Sequence, residues 1–458
     1  MSGILGIVLG LLLLIYLSYK GFSIIWVAPV SSLVVALVGF GFSDKLLYSY
    51  LGYANESGAL VGYMPELANF VRNYFALFFL GAVFGKLMDI TGAAKSVALL
   101  LSRLFGAKRA MMAVIVGCGA LTYGGVSLFV VVFAIYPLAI VLFRESNLPR
   151  RLIPGAIALG AFTFSMTALP GSPQLNNIIA GQNFGTDPYA APVLGIVSAG
   201  VMFLGGYLYM LWKQKKVLAK GEHFTEPMEF VAKIDDSDLP GPFLSLLPLV
   251  GVVVTLYIYT KVLHFGTTPG TVLALLSGNI ITVLVNIGRF SKPVINGDGK
   301  PVNFLLKALT EGGNGAVVAI LNTAAAVGFG GVVKAVPAFA TLRDLLLGIK
   351  ASPLISEGIA VTLLAGATGS SSGGMGIVLP VLAPEYLKTG INPQILHRVA
   401  TVASGGLDSL PHCGAVLTLL AVCGMTHKDS YNDIGMVTCV LPLLALVVII
   451  VLGAMGIA

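Results

Sequence analysis

Apolar runs dominate this chain, and several of them are long enough to cross a lipid bilayer. The hydrocarbon core of a bilayer is about 30 Å thick and requires roughly 20 mostly apolar residues in a helix. Runs that meet or approach this length occupy residues 3–19, 22–42, 66–88, 191–212, 243–262, 270–287, 309–331 and 431–457. The first run has no cationic stretch before it and no small-residue cleavage site after it, so it predicts a retained helix, not a signal peptide.

Four further apolar segments are interrupted by Gly, Ser, Asn and Pro. They cover residues 110–143, 153–181, 354–387 and 394–425. Backbone groups without hydrogen bonds in hydrocarbon cost several kcal/mol each, so a broken helix persists only where protein or a polar cavity satisfies it. Paired interruptions in corresponding halves of a membrane protein are the best sequence indication of a transporter binding site.

The interruptions of the first half have counterparts in the second. Gly117, Gly124 and Gly125 recur with the same spacing as Gly366, Gly373 and Gly374, and the Leu-Pro pair at 169–170 recurs at 410–411. We therefore predict an all-α polytopic membrane protein built from two inverted repeats. Residues 1–212 form the first repeat, with a re-entrant helical hairpin at 110–143 and a broken helix at 153–181. Residues 213–242 form a cytoplasmic linker, and residues 243–458 form the second repeat, with a hairpin at 354–387 and a broken helix at 394–425.

Composition supports the membrane assignment. Charged residues make up 10% of the chain and hydrophobic residues 57%, whereas soluble domains carry about 25% charged residues; a soluble enzyme and a nucleic-acid-binding protein are thereby excluded. With both termini outside, most of the 27 Lys and Arg residues fall in cytoplasmic stretches, as the positive-inside rule requires. This arrangement places Arg398 outside. The four cysteines form no CxxC pair, so we predict no disulfide framework, metal site or cofactor.

The two predicted hairpin tips are rich in glycine and hydroxyl groups. Glycines let two half-helices meet in a tight turn and bring backbone N–H groups near a ligand, and the helix that begins after the turn favours an anion at its N-terminus. The candidate substrate-binding residues are Thr122, Tyr123, Gly124, Gly125 and Ser127 in the first tip, and Ser370, Ser371, Ser372 and Gly373 in the second. The alternative is that these small residues only allow close helix packing.

The broken helices supply groups that would face the tips. The candidates are Ser172, Gln174, Asn176 and Ser409 for the substrate, and Asp408 and His412 for proton coupling. An ionisable residue inside a membrane is a functional hypothesis by default, and a histidine can titrate near neutral pH. The alternative for Asp408 is a cap on the half-helix after the break. Glu311 and Glu357 are expected to be solvated.

A serine hydrolase and a channel are the two other classes of function with which these residues can be compared. Residues 369–373 satisfy G-x-S-x-G, and Asp408 and His412 follow in the order of a hydrolase triad. That motif needs a strand–turn–helix context, which a transmembrane hairpin does not provide, so an intramembrane serine hydrolase is a distant alternative. A channel would show rings of charge or repeated filter strands, and the sequence has neither.

Three segments resemble the gluconate permease family of the ion-transporter superfamily, and most closely its D-β-hydroxybutyrate permease-like members. The segments are residues 167–177, 367–376 and 405–412. The resemblance covers essentially the whole chain and implies a proton-coupled carboxylate symporter that is dimeric and works by an elevator-like movement. Asp408 precedes His412 here, which departs from the family pattern for sugar acids. The gaps lined by Gly and Ala, with few hydroxyl partners, favour a short hydroxy or keto acid over a sugar acid.

The sequence thus predicts a secondary active transporter in the inner membrane of a prokaryote. It would import a small organic monocarboxylate, such as a 3-hydroxybutyrate-like hydroxy acid or a gluconate-like acid, by proton symport. The expected partners are this anion, protons, the lipid bilayer and a second copy of the chain, with no nucleic acid. The alternative within transport is a sodium-coupled carrier of di- or tricarboxylates.

Overall fold

A computed structural model describes residues 2–20, 22–54, 60–106, 109–126, 128–225, 239–290, 293–295, 301–341, 352–411 and 413–458. The described chain is mostly helical, as the sequence predicts. Its strands form two short antiparallel pairs, Tyr53–Ala54 with Leu60–Val61 and Pro293–Ile295 with Pro301–Asn303.

The described residues of the first half form ten α-helices. They are α1 (Ser2–Tyr19), α2 (Ile24–Phe40), α3 (Asp44–Leu51), α4 (Tyr63–Ile90), α5 (Ala93–Phe105), α6 (Ala110–Tyr123), α7 (Leu128–Glu145), α8 (Ile153–Ala161), α9 (Leu175–Phe184) and α10 (Pro192–Leu218). A 3-10 turn at Arg150–Leu152 precedes α8, and a π-helical turn at Phe164–Ala168 follows it. Helix α10 continues past residue 213, where the predicted linker begins, and residues 226–238 of that linker lie outside the described residues.

The second half contains ten more α-helices among its described residues. They are α11 (Pro242–Tyr257), α12 (Thr267–Val285), α13 (Ile287–Phe290), α14 (Phe304–Ala335), α15 (Pro353–Thr368), α16 (Ser371–Leu387), α17 (Pro393–Ser404), α18 (Gly414–Val422), α19 (His427–Gly435) and α20 (Leu441–Ala454). π-Helical turns extend α11 through Ile258–Val262 and join α19 to α20 through Met436–Val440.

Seven continuous helical stretches in the described chain are long and apolar enough to cross a membrane. They are Tyr63–Ile90, Arg150–Ala168, Pro192–Leu218, Pro242–Val262, Thr267–Val285, Phe304–Ala335 and His427–Ala454. Helix α10 shows what such a helix presents to its surroundings: Ile196, Leu204, Leu208 and Trp212 recur on one face, and each is more than half exposed. An apolar stripe of this kind fits lipid and not water, so the prediction of a multi-pass membrane protein is confirmed.

The helices pack in two groups. In one group, called the α4–α14 group, these two long helices lie along each other and contact α2 and α12. Gly312 makes their close approach possible, because a Cβ at this position would lie 2.8 Å from the Cα of Val83. Lys334 and Glu66 form an ion pair of 3.0 Å across the same two helices. The other group, called the site group, contains α6 to α9 and α15 to α18.

Candidate functional site

Two pairs of helices in the site group are each joined by a short glycine-containing turn. The first hairpin consists of α6 and α7, which are joined by residues 124–127, and the second consists of α15 and α16, which are joined by Gly369 and Ser370. Two breaks accompany them. The first break lies between the π turn at Phe164–Ala168 and α9, and the second lies between α17 and α18.

The two breaks contact each other. Asn176 Nδ2 donates a hydrogen bond of 2.7 Å to Ser404 Oγ, although the two residues are far apart in the chain. Gly405 begins the second break beside Thr167, and a Cβ on Gly405 would lie 3.1 Å from Thr167 Cγ2. The close approach of the two interrupted helices therefore depends on a small residue at this position.

The tip of the first hairpin rests on the first break. Gln174 Nε2 donates to the Thr122 carbonyl oxygen at 2.6 Å, and the Tyr123 hydroxyl donates to the Pro170 carbonyl oxygen at 2.9 Å. Gly125 has a φ of +96°, which favours glycine, and a Cβ there would lie 3.1 Å from Pro173 Cγ. The structure thus brings Thr122, Tyr123, Gly124, Gly125 and Gln174 together. Ser127 lies outside the described residues.

The turn of the second hairpin rests on the second break. Ser409 Oγ donates to Asp408 Oδ1 at 2.9 Å, and the Ser371 side chain lies within hydrogen-bonding reach of the same carboxyl group. A Cβ on Gly366 would lie 2.8 Å from Leu407 Cβ, so the hairpin packs tightly here. Ser371, Asp408 and Ser409 are thus adjacent and buried. His412 lies outside the described residues.

Ser370 and its neighbours start helix α16. Ser370 has an extended backbone conformation and its hydroxyl accepts a hydrogen bond from the Gly373 amide at 3.2 Å, which is the geometry of an N-cap. Ser372 is half-buried and Gly373 is buried. Ser370 is therefore already used in capping, whereas Ser371 points toward Asp408.

Two of the candidate hydroxyl groups have no hydrogen-bond partner. Thr122 Oγ1 and Ser172 Oγ are both fully buried and unpartnered. Buried polar atoms in folded proteins are hydrogen-bonded in the great majority of cases, so each exception calls for an explanation. Their backbone carbonyls are both occupied, by Gln174 and Asn177 respectively, which leaves only the hydroxyl groups to meet a ligand.

Arg398 occupies the first break, and sequence reasoning missed it. The sequence predicts it in a stretch outside the membrane, which stays a prediction; the structure shows that the side chain is fully buried in α17 and not in solvent. Its guanidinium group donates to the carbonyl oxygens of Ala168 at 3.0 Å and Ala190 at 2.7 Å, and to Asn177 Oδ1 at 3.1 Å. These carbonyls are free because the π turn and the loop after α9 leave them outside any helix ladder.

His397, next to Arg398, was also missed. It is fully buried, and its ring nitrogens contact Thr186 Oγ1 at 2.7 Å and Asn177 Oδ1 at 3.2 Å. A histidine–arginine pair in an otherwise apolar helix was the available signal, but the carbonyl groups that the pair satisfies come from the other half of the chain. Sequence alone gives no register between those segments.

The buried charges of the site are not neutralised by each other. Among the described residues, Arg398 forms no ion pair within 4 Å; Asp187 influences it electrostatically but is bound to Lys261 at 2.7 Å. Asp408 has hydroxyl partners and likewise no cation within ion-pair distance in the described chain. A buried cation and a buried acid therefore stand in the two breaks, each without a counter-ion.

The two acidic residues expected in solvent differ from each other. Glu311 is partly exposed and forms an ion pair of 2.8 Å with Lys86. Glu357, in contrast, is fully buried, and neither of its carboxyl oxygens has a hydrogen-bond partner. The expectation of a solvated Glu357 is wrong, because α15 is covered on several sides by α16, α17, α20 and α1.

A cavity of about 650 Å³ opens beside the site group. Its lining includes Gln182, Thr186 and Asp187 after α9, and Thr268 at the start of α12. The Gln182 side chain hydrogen-bonds both Thr268 and Tyr74. The cavity thus lies where the site group meets the α4–α14 group, and Thr186 links it to buried His397.

Comparison with known proteins places this arrangement among transporters. Residues 4–455 match the family described as GntP family permease. An uncharacterized transporter of Bacillus subtilis, YxjC, is 40% identical over 94% of this chain and 95% of its own length. The D-serine transporter DsdX of Escherichia coli is 25% identical over 77% of this chain and 79% of its own. Among solved structures, the YdaH transporter of Alcanivorax borkumensis, described as having an unusual topology, is similar with a TM-score of 0.54 and 16% identity over 93% of this chain and 96% of that chain.

Proposed function

We propose, from the premise that this chain belongs to the GntP permease family and is a membrane transporter and not an enzyme, that it imports a small organic monocarboxylate together with protons. The substrate we favour is a short hydroxy acid of the 3-hydroxybutyrate kind. One observation carries the proposal: Thr122 Oγ1 and Ser172 Oγ are buried without partners at a break that also holds the unpaired cation Arg398.

An anionic substrate fits this arrangement electrostatically. Among the described residues, Arg398 is bound by carbonyl and amide oxygens and not by a carboxylate, so its positive charge has no direct counter-ion there. In a water-poor site such a charge attracts an anion more strongly than it would in water. The hydroxyl groups of Thr122 and Ser172 then supply neutral donors for the carboxylate oxygens.

Asp408 is the group that we propose for proton coupling. A buried carboxylate without a cation is unfavourable when it is charged, and a nearby substrate anion increases this cost. Substrate binding then favours proton binding at Asp408, and by linkage the proton favours the substrate to the same extent. His412 remains a predicted partner in this coupling.

A sodium-coupled carrier of di- or tricarboxylates is the alternative. It would need hard oxygen ligands, such as carbonyl groups freed by Pro411. The carbonyl oxygen of Pro411, however, is 2.8 Å from Nε2 of His427 and is therefore already engaged. This contact engages one candidate oxygen ligand, and the ion dependence of uptake distinguishes the two coupling ions.

A second candidate substrate is a hydroxylated amino acid. The D-serine transporter among the relatives is named for a compound that carries a carboxylate, a hydroxyl group and an ammonium group. In that case Asp408 would stay ionised and pair with the ammonium group, and Arg398 would face the carboxylate. Asp408 would then determine substrate choice and not proton coupling.

The proposal includes the architecture predicted from the sequence. The two halves, residues 1–212 and 243–458, act as inverted repeats with both termini outside the inner membrane, and two copies of the chain form a homodimer. The site group, which holds both hairpins and both breaks, moves as an elevator against the α4–α14 group. Support comes from the cavity between the two groups and from the polar contacts beside it.

The test is a binding screen followed by uptake. Purified protein is heated with short hydroxy acids, sugar acids, dicarboxylates or D-serine, and the compound that raises the melting temperature most is tested for uptake into proteoliposomes. We expect 3-hydroxybutyrate to stabilise the protein and to be accumulated when only a pH gradient is imposed. Stabilisation by dicarboxylates with uptake that needs sodium would contradict the proposal. Preference for D-serine would select the amino-acid alternative.

A further inference from the structure

A second buried carboxyl group lies on the second hairpin, away from the candidate site. Glu357 is fully buried in α15, and both of its carboxyl oxygens lack a partner. It precedes Thr368, the last residue of α15, by three helical turns. At 1.5 Å per residue, this separates Glu357 from the hairpin turn near Asp408 by roughly 16 Å. The two carboxyl groups therefore belong to different sites.

The surroundings of Glu357 are nearly free of charge. Helix α15 packs against α16, α17, α20 and α1. On α16 the Tyr386 ring faces Glu357 closely enough to interact electrostatically with it, and the Tyr386 hydroxyl shares a hydrogen bond of 3.0 Å with Ser356 Oγ. The acidic residue of α16, Glu385, forms an ion pair of 3.0 Å with Lys388.

The other helices offer Glu357 no charge that is not already bound. On α17, His397 and Arg398 are turned toward α9 and the loop after it, where their nitrogens contact Thr186, Asn177 and backbone carbonyls. Helix α20 contains no titratable residue, and those of α1 are tyrosines. Residues 342–351 before α15 lie outside the described residues.

We propose that Glu357 is a second proton-binding site, separate from Asp408, whose proton is carried during the transport cycle. An ionised carboxylate with no hydrogen-bond donor, and with no cation beside it among the described residues, is strongly unfavourable in such surroundings, and a proton is a cation small enough to fit a buried position. The inference rests on the proposed function, since a carried proton requires a transport cycle. The ligand of the Glu357 site is the proton. Because Glu357 lies on α15, one arm of the second hairpin, proton binding there is linked to movement of that hairpin.

The proton exchanges through the hydroxyl pair of Ser356 and Tyr386. Tyr386 is buried, but two residues later Lys388 is 70% exposed. Thr389 Oγ1 donates to the Tyr386 carbonyl oxygen at 2.6 Å and so closes the end of the hairpin. The Ser356–Tyr386 pair thus lies between Glu357 and the exposed end of α16 near Lys388. A small opening at this end would connect the Glu357 carboxyl group to water.

Infrared spectroscopy of the reconstituted protein tests the binding step directly. We expect the C=O stretch of a protonated carboxyl group at neutral pH that disappears in Glu357→Gln and shifts in Glu357→Asp. The matched control Glu385→Gln lies on the same hairpin and should leave the band unchanged. An ionised Glu357 at neutral pH, seen as loss of a carboxylate band in Glu357→Gln, would overturn the inference. In Asp408→Asn the other buried carboxyl group proposed to bind a proton is absent, so a pH titration of the band in that variant tests Glu357 without changing it.

Proton counting in proteoliposomes tests carriage. With 3-hydroxybutyrate or D-serine as the probe, Glu357→Gln should lower the number of protons moved per substrate by one, and Glu385→Gln should not change it. An unchanged ratio in Glu357→Gln, when the unmodified protein moves protons, overturns this inference and leaves the proposed function standing. Failure of the proposed function looks different: the unmodified protein would then take up either probe without moving any proton, and carriage by Glu357 would fail with it.

Discussion

Two hydroxyl groups, Thr122 Oγ1 and Ser172 Oγ, are the residues on which substrate recognition is proposed to depend. Both are buried and unpartnered, as is Ser31 Oγ in α2, far from the breaks in the chain, whereas most buried hydroxyl groups that the structure describes donate to a carbonyl oxygen. Thr438, for example, donates to the Ile434 carbonyl oxygen at 2.9 Å. A hydroxyl group such as that of Thr438 stabilises its helix, whereas the hydroxyl groups of Thr122 and Ser172 are available to bind a ligand.

The first prediction concerns these two hydroxyl groups. A hydrogen bond to a charged group contributes about 1.5–3 kcal/mol, so Thr122→Val and Ser172→Ala should each weaken substrate binding by roughly 10- to 150-fold. Because both would contact one carboxylate, their effects should be non-additive in a double-mutant cycle measured by calorimetry. Thr438→Val is the control and should bind as the unmodified protein does. Small, additive losses would place the substrate elsewhere.

The second prediction concerns Asp408. The substitution Asp408→Asn mimics the protonated acid, so it should abolish accumulation driven by a pH gradient while substrate exchange across the membrane remains measurable. It should also flatten the pH dependence of binding. Asp429→Asn is the control, because Asp429 caps α19 through Thr426 and lies outside the site. Continued accumulation by Asp408→Asn under a pH gradient alone would make Asp408 a capping residue.

The sequence predicted these single residues unevenly. Asp408 and the tip hydroxyls are recognisable because polar residues are conspicuous in apolar runs. Arg398 and Glu357 are equally polar, but each stands within a few residues of a predicted membrane surface, where a charged side chain ordinarily reaches water. Only the packing of α15 and α17 against other helices decides that these two are buried, and single-sequence patterns contain no such information.

At the scale of helices, the two breaks hold each other together. Arg398 of α17 satisfies carbonyl oxygens of the first break, and Asn176 of α9 reaches Ser404 at the end of α17. The positions of the breaks could be predicted, because proline and glycine interrupt helices for local reasons. The π turn at Phe164–Ala168 could not, since it depends on the partner that donates hydrogen bonds to its freed carbonyl groups.

The third prediction tests the role of Arg398 in this contact. Arg398→Met keeps an unbranched apolar stem but removes every donor, so several buried carbonyl groups lose their partner. Orphaned buried polar groups cost about 1–3 kcal/mol each, and we expect the melting temperature in detergent to fall by several degrees. Arg398→Lys should restore only part of it, because an ammonium group cannot reproduce the planar fork. Lys388→Met, at an exposed position, is the control. Full stability of Arg398→Met would exclude this structural role.

At the scale of the whole molecule, the proposed movement occurs between the site group and the α4–α14 group. Beside the cavity the contacts across this boundary are polar: Gln182 bonds Thr268 and Tyr74, and Thr267 Oγ1 donates to the Thr186 carbonyl oxygen at 2.5 Å. Elsewhere α14 packs on α16 through apolar residues. The sequence predicted an elevator only through its resemblance to a family. It could not show which helices form each group.

The fourth prediction tests that movement. In a background without the four native cysteines, a short reducible thiol cross-linker should join Gln182→Cys to Thr268→Cys. The native side chains are in contact through the end of the long glutamine side chain, whereas a direct disulfide would require Cβ atoms about 3.8 Å apart. The cross-linked protein should lose transport and the reduced protein should regain it, as measured by uptake into proteoliposomes. Each single cysteine variant is a control and should be insensitive to the cross-linker. Undiminished uptake by the cross-linked pair would show that these two helices keep their contact throughout transport.

The bonds between the two breaks also have a consequence for how the protein is made. The carbonyl oxygen of Ala168 gains its hydrogen-bond donor only after Arg398 has been synthesised, 230 residues later in the chain. Ser404, the partner of Asn176, is likewise synthesised late. At the usual pace of synthesis of about 5–20 residues per second, the first half spends roughly 10 to 50 s in the membrane with its central polar groups unmatched. During this interval the nascent chain depends on the insertion machinery, on bound water or on temporary internal contacts to shield the open break from lipid. Ribosomal pausing between the two halves would lengthen that exposure, so the timing of translation becomes part of what this fold requires.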